Sequence, residues 1–521
     1  MNNQRVVFKP YTTEQPSLLP RSLDELIPED HLVRVVNRVI EQIDLSCLFA
    51  KYKGGGTSSY HPKMMLKVLV YGYAEKIYSS RKIAKGLREN VNFMWISGGQ
   101  QPDFRTINNF RSVVMKEAVR AVFGKVMELL VEEGYVKLEN YFVDGTKIGA
   151  NANAHKVVWA KKTQHYQEKL QQQIQELLDQ IEQVNEAEEQ EYGDDDLEEL
   201  GPGGGLTAEK VQKKVEELNQ LLKDQAGKTE EQKKLKKIQK ELPRLEKYEQ
   251  QQKLLAGRNS YSRTDVTASS LRMKEDRAAQ KPLARPAYNV QIGTENQFIL
   301  GYSLHQSAGD TNCFIEHMER QEFLKQHPPH NLSADAGYGS EENYAYLETR
   351  QIGNFMKYNT FYQEQHPPRK PELVEQARFR SVNFPYDPTR DEFTCPAQHP
   401  LTYRETKPYK TSTGYLSQRR FYESAHCATC ALKPKCTRAK GNRRIQISFE
   451  LQRYRGQARA NLLSEQGLRL RKQRSIEPET VFGDLKHNRG FRRFSLRGLK
   501  KAETEWGILC LAHNLRKLAA Q

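Results

Sequence analysis

Three acidic residues that lie far apart in the chain have the types and settings needed to share a divalent cation. Asp144 follows the short apolar run YFV and Asp335 lies in the run HNLSADAG, and each run is predicted as a strand that brings a carboxylate to the edge of a sheet. The third acid, Glu479, precedes Lys486 by two helical turns, so both side chains are expected on one helical face. Carboxylates suit Mg²⁺ and a nearby cation suits phosphate, which indicates chemistry on a phosphodiester.

Each of these residues also has an ordinary explanation when it is taken alone. A single Asp after a strand is typical of a turn. Glu479 with Lys486 is typical of a surface ion pair on a solvated helix. The elements that position the residues therefore decide between chemistry and local structure.

After residue 136 the chain alternates strands and helices, with two interruptions. The strand-like runs AYNVQIGT and QFILGYSLH are joined by the turn ENQ, and a helix, a strand, a helix and a final strand follow. With the strand before Asp144 the predicted order is β, β, β, α, β, α, β, which indicates a mixed α/β sheet covered by helices. Asp144 is then expected to end the first strand and Asp335 the fourth, at one edge of adjacent strands.

Two helical regions lie outside this α/β pattern. Residues 22–134 carry apolar residues at three-to-four spacing, with Asp103 as a predicted N-cap, and indicate an all-α N-terminal domain. The basic face of residues 79–93 either contacts DNA or is a solvated surface. Between 161 and 255 the apolar residues repeat in steps of four and three, which predicts an inserted coiled-coil hairpin with a structural or oligomeric role. Pro243 is expected to kink or end its last helix.

A second insertion, from about 361 to 455, contains a cysteine cluster. Its members are Cys395, Cys427, Cys430 and Cys436. A C-x-x-C pair with two further cysteines can hold a tetrahedral Zn²⁺ that stabilises a small domain with little core of its own. His399 and His426 are possible substitutes for one ligand, and four unliganded thiols are the alternative.

The charge of the chain favours a polyanionic partner. The formal net charge is +16 and the pI is about 9.3, so nucleic acid is the first candidate and an ordinary basic enzyme is the alternative. The run HNRGFRRFSLRGLKK includes Arg492 and Arg493, which are expected to track phosphates, while Phe491 and Phe494 either pack inward or stack on a base. The chain has no apolar run of about 18 residues and no apolar leader, which predicts a cytoplasmic protein without a membrane segment.

Three motifs resemble those of DDE transposases encoded by bacterial insertion sequences. They are FVDGTK, SADAGYGS and EPETVFGDLKHNRGFRRF. The stretches FKPY, LDELIPEDHLVRVVNRVI, YHPKMMLKVLVYGY and YSSRKIA are similar to the helical N-terminal domain of one such group. The resemblance implies an RNase H-like catalytic domain with Asp144, Asp335 and Glu479 as the catalytic acids.

The third acid has a rival in Glu477. Glu479 is preferred because six residues separate it from Lys486, as in the Tyr-Arg-Glu-Lys signature of these enzymes. The sequence departs from that signature: Arg474 lies five positions before Glu479 instead of four, and Arg471 stands where a tyrosine is expected. Arg474 and Lys486 are expected to bind phosphate beside the scissile bond.

The resemblance implies that DNA is the substrate and that a pair of Mg²⁺ ions, or Mn²⁺, are the cofactors. Two ions about 3.5–4 Å apart activate an attacking oxygen and stabilise a leaving one. The expected reaction is hydrolysis at the transposon end, followed by attack of the released 3′-hydroxyl on a target strand. A homo-oligomer on DNA at the nucleoid is expected. Two alternatives stay open, a catalytically inactive transposase-derived DNA-binding protein and a nuclease that cuts without joining.

These inferences divide the chain into six segments. They are a helical DNA-binding domain (1–135), the first strand of the RNase H-like domain (136–160), the coiled-coil insertion (161–255), the continued RNase H-like domain (256–360), the cysteine-containing insertion (361–455), and the helix with the catalytic Glu plus a C-terminal helix (456–521).

Overall fold

A computed structural model describes residues 21–52, 59–192, 206–223, 229–273 and 284–521. The chain divides into two compact units, Met1–Leu129 with Trp506–Gln521 and Leu130–Glu505. The FKPY motif and the glycine-rich turn GDDDLEELGPGGG lie outside the described residues. Among the helices that the structure describes, none is both long enough and apolar enough to cross a membrane.

The described N-terminal region is helical, as the apolar spacing predicts. Its helices are α1 (Leu32–Gln42), α2 (Ser46–Phe49), α3 (Pro62–Ala74), α4 (Ser80–Glu89), α5 (Val91–Ile96), α6 (Phe104–Asn109) and α7 (Met115–Glu132), with a π-helical stretch at Phe110–Val114. Asp103 Oδ1 accepts the Thr106 N–H at 2.8 Å, which confirms the predicted N-cap. The almost wholly apolar α3 is buried along its length, and its Lys67 ammonium donates to Asn37 Oδ1 at 2.6 Å.

Eight strands belong to the α/β part of the second unit. They are β1 (Asn140–Gly149), β2 (Val157–Trp159), β3 (Ser260–Ser262), β4 (Ser269–Arg272), β5 (Ala284–Glu295), β6 (Phe298–His305), β7 (Asn331–Ala334) and β8 (Gly353–Met356). Six of them form one mixed sheet in the order β4-β5-β1-β7-β8, with β6 also paired to β5. β5 is antiparallel to β1, whereas β1, β7 and β8 are mutually parallel.

All five strands predicted from the sequence are present in the predicted order. β4 was not predicted, and neither was the separate two-stranded pair of β2 with β3. The predicted turn between β5 and β6 is confirmed: Asn296 and Gln297 both have positive φ, 51° and 61°, as the central residues of a tight two-residue hairpin require. A mixed α/β unit therefore accompanies the helical N-terminal region.

The first strand is longer than predicted, so Asp144 does not end it. Pairing of β1 with β7 stops at Val143 opposite Ala334. Pairing with β5 continues to Gly149 opposite Ala287, which keeps β1 extended for five residues beyond Asp144. Asp144 therefore lies within β1, at the level where β7 ends.

The insertion after β2 is helical, as predicted, but it contains three helices that share one apolar core. They are α8 (Ala160–Tyr192), α9 (Ala208–Lys223) and α10 (Thr229–Leu255). Buried side chains from all three meet, including Leu170, Ile174, Ile181, Val211, Val215, Leu218, Leu235, Ile238 and Leu245. Pro243 lies inside α10, so of the two predicted outcomes, a kink or an end of the helix, the structure excludes the end. Val184 and Leu222 also belong to the apolar repeat of the sequence between residues 161 and 255. Their side chains lie outside the described part of the structure.

The second insertion folds around an antiparallel sheet that the sequence did not predict. Its strands are β9 (Tyr386–Asp387), β10 (Glu392–Thr394), β11 (Pro400–Lys410), β12 (Leu416–Ser424) and β13 (Arg444–Ile447), in the order β13-β12-β11-β10-β9. Its core contains Phe384, Phe393, Cys395, Leu401, Tyr422, Ile445 and Ile447. This small apolar cluster is a modest driving force for an independent fold.

The remaining helices surround the sheets or close the chain. They are α11 (Phe314–Glu319), α12 (Glu322–Gln326), α13 (Glu341–Thr349), α14 (Phe361–Gln365), α15 (Pro371–Arg378), α16 (Lys433–Cys436), α17 (Phe449–Leu463), α18 (Glu465–Arg474), α19 (Pro478–Gly483) and α20 (Leu499–Ala519). A π-helical stretch, Asp484–Asn488, directly follows α19. It interrupts the predicted regular helix from Glu479 to Lys486, so the two-turn spacing does not apply to this pair.

Candidate active site

The register of β1 with β7 brings two of the predicted acids side by side. Phe142 is opposite Ser333 and Val143 is opposite Ala334 in a parallel pair, so Asp144 and Asp335 occupy the next positions on neighbouring strands. Such strands lie about 4.8 Å apart. Asp144 is buried, with 9% of its surface exposed, and Asp335 is partly buried. The adjacency predicted from the topology is therefore present.

The loop after Asp335 is held in a fixed shape. Asp335 Oδ1 accepts the backbone N–H of Gly337 at 2.8 Å, and Asn343 Nδ2 donates to the Tyr338 carbonyl at 2.7 Å. The buried Tyr338 hydroxyl donates to Gln291 Oε1 on β5. These bonds tie the loop that follows Asp335 to both α13 and β5.

A third aspartate, Asp310, lies at the same place and was not predicted. Its Oδ1 accepts hydrogen bonds from Asn289 Nδ2 at 2.8 Å and from Gln291 Nε2 at 2.9 Å. A Cβ atom built on Gly145 would lie 2.8 Å from that oxygen, so Asp310 is directly beside the residue after Asp144. In the sequence, Asp310 follows a glycine after β6 and reads as a turn residue. Only the tertiary structure reveals its position.

The pKa of the Tyr338 hydroxyl is affected by the charges of all three aspartates. Burial raises the pKa of this phenol well above its ordinary value, and the charges of Asp310, Asp144 and Asp335 raise it further. The three carboxylates therefore lie within electrostatic range of one buried hydroxyl, which stays protonated and available as a donor.

Glu479, the third predicted acid, is ion-paired. Its Oε1 accepts from Arg474 Nη2 at 3.3 Å, and the side chain of Arg474 is only 13% exposed compared with 52% for Glu479. The shifted position of Arg474 in the sequence thus does not prevent a direct contact between the two residues. The pair spans the turn between α18 and α19.

Lys357, another residue that the sequence did not single out, connects Glu479 with Asp335. Its backbone N–H donates to the Ala334 carbonyl at 3.2 Å, directly before Asp335. Burial lowers the pKa of its ammonium, the nearby cations of Arg474 and Arg471 lower it further, and the charges of Asp335 and Glu479 oppose this shift. This half-buried lysine is within electrostatic range of both acids, where an ammonium can attract a phosphate.

Glu477 is held away from this set of residues. It is 3% exposed, and its Oε2 accepts the backbone N–H of Gln297 at 2.7 Å, at the turn between β5 and β6. Burial raises the pKa of this carboxyl. Its position indicates a role in fixing α19 to the sheet.

Lys486 reaches the site from the π-helical stretch. Its Nζ donates to Thr146 Oγ1 at 3.2 Å, and the lysine is 8% exposed. Thr146 is two residues after Asp144, so both side chains point to the same face of β1. π-helical turns often occur at functional sites, because the extra residue redirects a side chain.

The basic residues after Lys486 line an open groove of about 790 Å³ at the end of β1. Arg493 holds the backbone that follows β1. Its Nε donates to the Ala150 carbonyl at 3.0 Å and its Nη2 donates to the Ala152 carbonyl at 2.8 Å. Arg492 is exposed and donates to the Lys486 carbonyl at 3.3 Å. Phe491 and Phe494 are both 2% exposed, so the inward packing considered for them is confirmed.

The four clustered cysteines line one small cavity of about 20 Å³, together with His399 and His426. Backbone N–H groups donate to two of the sulfurs, from His399 to Cys395 Sγ at 3.4 Å and from Arg443 to Cys427 Sγ at 3.2 Å. Burial raises the pKa of Cys436; the Arg443 cation lowers it, and the other three thiols add to the rise. The sequence pattern and the fold therefore bring the four thiols together.

In the ranges that the structure describes, no three His, Cys, Asp or Glu side chains are grouped tightly enough to hold a metal ion. The donor chemistry nevertheless fits: hard carboxylate oxygens at the end of β7 suit Mg²⁺, and four thiols suit Zn²⁺.

Two family models match the chain. Residues 394–519 match a transposase DDE domain, and residues 21–113 match a transposase domain known as DUF772. The matches support a DDE transposase of the insertion-sequence type. No curated protein and no solved structure matches the chain.

The match to a transposase DDE domain indicates the general class of chemistry. A DDE domain belongs to a nuclease or transferase enzyme that acts on DNA, and enzymes of this family generally use divalent metals. The match to residues 394–519 includes Glu479 and Lys486 and also the four cysteines. The carboxylates on β1 and β7 lie outside both matched ranges.

Proposed function

We propose that this transposase cuts DNA at transposon ends and joins the released 3′-hydroxyl to target DNA, with Asp144, Asp335 and Glu479 as its catalytic acids. The observation that carries the proposal is the parallel register of β1 with β7, which puts Asp144 beside Asp335. In the sheet, the parallel strands β7 and then β8 lie on one side of β1, and the antiparallel strand β5 lies on the other. This order supports an RNase H-like domain.

Asp144 and Asp335 would hold one Mg²⁺ between them, and Glu479 would complete the ligand set for a second. When bound, Mg²⁺ or Mn²⁺ supplies activation of the attacking oxygen and stabilisation of the leaving one. Glu479 is engaged by Arg474 in the DNA-free chain. Release of this ion pair frees the carboxylate for metal and the guanidinium for a phosphate.

The chain supplies three cations for the substrate phosphates. Lys486 contacts Thr146, two residues after Asp144, and Lys357 lies within electrostatic range of Asp335 and Glu479. Arg474 completes the set once its ion pair opens. Arg492 would extend the contact along the DNA, whereas Arg493 would act by fixing the end of β1. Such contacts orient the scissile phosphate without reading sequence.

Around this catalytic centre, we expect the domain boundaries inferred from the sequence to hold. The helical N-terminal domain would bind DNA and the three-helix insertion would support assembly of a homo-oligomer on it. The protein would then act on chromosomal DNA at the nucleoid, in the cytoplasm.

The direct test is a cleavage assay with Mg²⁺ on a plasmid that carries the DNA flanking the transposase gene. We expect nicks with 3′-hydroxyl ends and, after them, strand-transfer products. Binding without nicks would instead support an inactive DNA-binding relative. Nicks without joined products would support a nuclease that only cuts.

A comparison of the two neighbouring glutamates tests the third acid. We expect Glu479→Gln to lower cleavage on the order of a thousandfold, because a metal ligand is lost. Glu477→Gln should keep cleavage within about threefold. The buried Glu477 carboxyl has a raised pKa, so its charged form destabilises the fold as pH rises above the unfolded value; the neutral amide should leave the unfolding temperature at pH 7 unchanged or higher. The reverse ranking of the two variants would reassign the third acid.

We further propose that Cys395, Cys427, Cys430 and Cys436 hold one Zn²⁺ that stabilises the second insertion. The shared cavity and the N–H groups that face two sulfurs support this, because such donors favour thiolates. Because the apolar cluster of the insertion is small, a bound metal would add to the stability of its fold.

Elemental mass spectrometry on chelator-free protein is expected to find about one zinc per chain. Cys427→Ser with Cys430→Ser should lose that zinc and make residues 361–455 sensitive to limited proteolysis. Cys47→Ser, far from the cluster in sequence, is the matched control and should retain the metal. Full-length protein without zinc and with an intact, protease-resistant insertion would exclude the site.

A further inference from the structure

The outer part of the β11–β12 hairpin is a two-stranded ribbon with little apolar covering. We define the basic ribbon as residues 404–421. Residues 404–410 of β11 are exposed, apart from the half-buried Glu405, so neither face of this strand is packed against the core. The core of the insertion lies under the inner half of the hairpin, at Leu401 and Tyr422. The ribbon therefore extends beyond the part that folding itself needs to bury.

One face of the basic ribbon alternates cations with aromatic rings. Lys407 is directly opposite Arg419, and Tyr409 and Phe421 are on the same face because they follow by two residues along each strand. The Arg419 guanidinium lies 3.5 Å from the centroid of the Tyr409 ring, and Tyr409 is 45% exposed. Arg444 on β13 lies 4.5 Å from the centroid of Phe421.

Two positive charges face each other on this side of the ribbon, which lowers the stability of the chain without a ligand. Like charges directly opposite each other destabilise an antiparallel pair, and Lys407 faces Arg419. Lys407 also pairs with Glu405 at 2.9 Å. Within the described ranges, Arg419 on this face has no ion-pair partner, and neither do Arg404 and Lys410 elsewhere on the ribbon. An anionic ligand would relieve the repulsion between the two strands.

The tip of the ribbon is fixed beside the candidate active site. Ser417 Oγ donates to Glu341 Oε2 at 2.8 Å, and Tyr415 Oη donates to Glu341 Oε1 at 3.3 Å. Asn312 Nδ2 donates to Ser412 Oγ at 3.4 Å. Glu341 begins α13, six residues after Asp335, and Asn312 is two residues after Asp310. The ribbon is thus anchored to both segments that carry these aspartates.

We propose that the basic ribbon binds the DNA next to the scissile phosphate, with Lys407 and Arg419 on backbone phosphates and Tyr409 against a sugar or base. The inference rests on the proposed function and adds the surface that holds its substrate. Alternating cations and aromatic rings match a ligand that alternates phosphates with stackable rings. A two-stranded ribbon also has the width that the major groove of DNA admits.

The test is the salt dependence of DNA binding by the full-length Lys407→Gln/Arg419→Gln variant, measured by fluorescence anisotropy on duplex DNA from the gene flank. Loss of two phosphate contacts should make the slope of log affinity against log salt shallower by about two, and should weaken binding on the order of ten- to a hundredfold near 0.1 M salt. The control, Lys236→Gln/Lys240→Gln, removes the same charge from exposed positions on α10 and should bind like wild type.

The outcomes separate this inference from the proposed function. An unchanged slope in the ribbon variant, or an equal loss in both variants, would overturn the role of the ribbon even if the wild-type protein cuts DNA. Wild-type protein that neither binds nor cuts the flanking DNA would instead overturn the function. The ribbon variant loses the repulsion between Lys407 and Arg419, but it also loses the exposed Lys407–Glu405 ion pair and the Arg419–Tyr409 contact, so it should unfold close to the wild-type temperature. The second variant Tyr409→Ala should weaken binding without changing the salt slope.

Discussion

Replacing either of the paired aspartates, Asp144→Asn or Asp335→Asn, should reduce DNA cleavage on the order of a thousandfold, which corresponds to about 4 kcal/mol of transition-state stabilisation. The physical reason is the register of β1 with β7, which places both carboxylates beside each other, where the proposed function has them share one cation. An amide keeps the shape of the side chain but loses the charge that attracts the metal. Cleavage is measured from nicked plasmid at fixed Mg²⁺ and protein concentration.

DNA binding and folding should respond differently from cleavage. Removing a negative charge beside the substrate phosphates should leave affinity unchanged or higher. It should also leave the unfolding temperature unchanged or higher, because neighbouring aspartates repel each other in the metal-free protein. Asp179→Asn, at an exposed position on α8, is the matched control and should behave as wild type in all three measurements. Cleavage within tenfold of wild type in either active-site variant would remove that residue from the catalytic set.

Adding a single methyl group at Gly145 should abolish cleavage nearly as completely as loss of a catalytic acid. A Cβ atom there would lie 2.2 Å from Gln291 Nε2 and 2.8 Å from Asp310 Oδ1, well inside normal contact distances. Gln291 cannot simply turn away, because it is bonded to Asp310 and to the buried Tyr338 hydroxyl. The displaced network would move the strand that carries Asp144. We expect a loss of more than about a hundredfold, since small errors in position are costly in catalysis.

Gly456→Ala is the control for this substitution. A Cβ atom on Gly456, inside α17, meets nothing within 4 Å, so the change should raise helix stability slightly and leave cleavage unchanged. Circular dichroism and DNA affinity should be near wild type for both variants. A Gly145→Ala protein with full activity would show that the network of Gln291, Asp310 and Tyr338 does not position Asp144.

Asp310 raises a separate question about the number of acids in the site. Its side chain accepts two side-chain amide donors, from Asn289 and Gln291, and it lies beside Gly145. These bonds satisfy one of its two oxygens. The arrangement supports a positioning role, in which Asp310 holds the amides of β5 and so fixes the strand that carries Asp144.

Local sequence determined the N-terminal helices, the helical insertion and five strands of the mixed sheet. The apolar spacing predicted the N-terminal helices and the Asp103 cap, and the strand-like runs predicted five strands of the mixed sheet in the order that the structure shows. Local rules succeed here because amphipathic periodicity and capping act over a few residues. At Pro243 they left open whether the helix ends, and the packing of α10 against two other helices, which outweighs the cost of one proline, keeps it continuous.

The sequence also determined which residue types were available for chemistry: two aspartates after strands, a glutamate before a lysine, and four clustered cysteines. Only the tertiary structure decided how they are placed. It extended β1 beyond Asp144, turned Glu477 to the β5–β6 turn, gave Lys486 a π-helical turn and brought Asp310 and Lys357 to the site. The reason is physical: strand register, burial and ion pairing depend on residues more than a hundred positions apart, whose contacts no local pattern specifies.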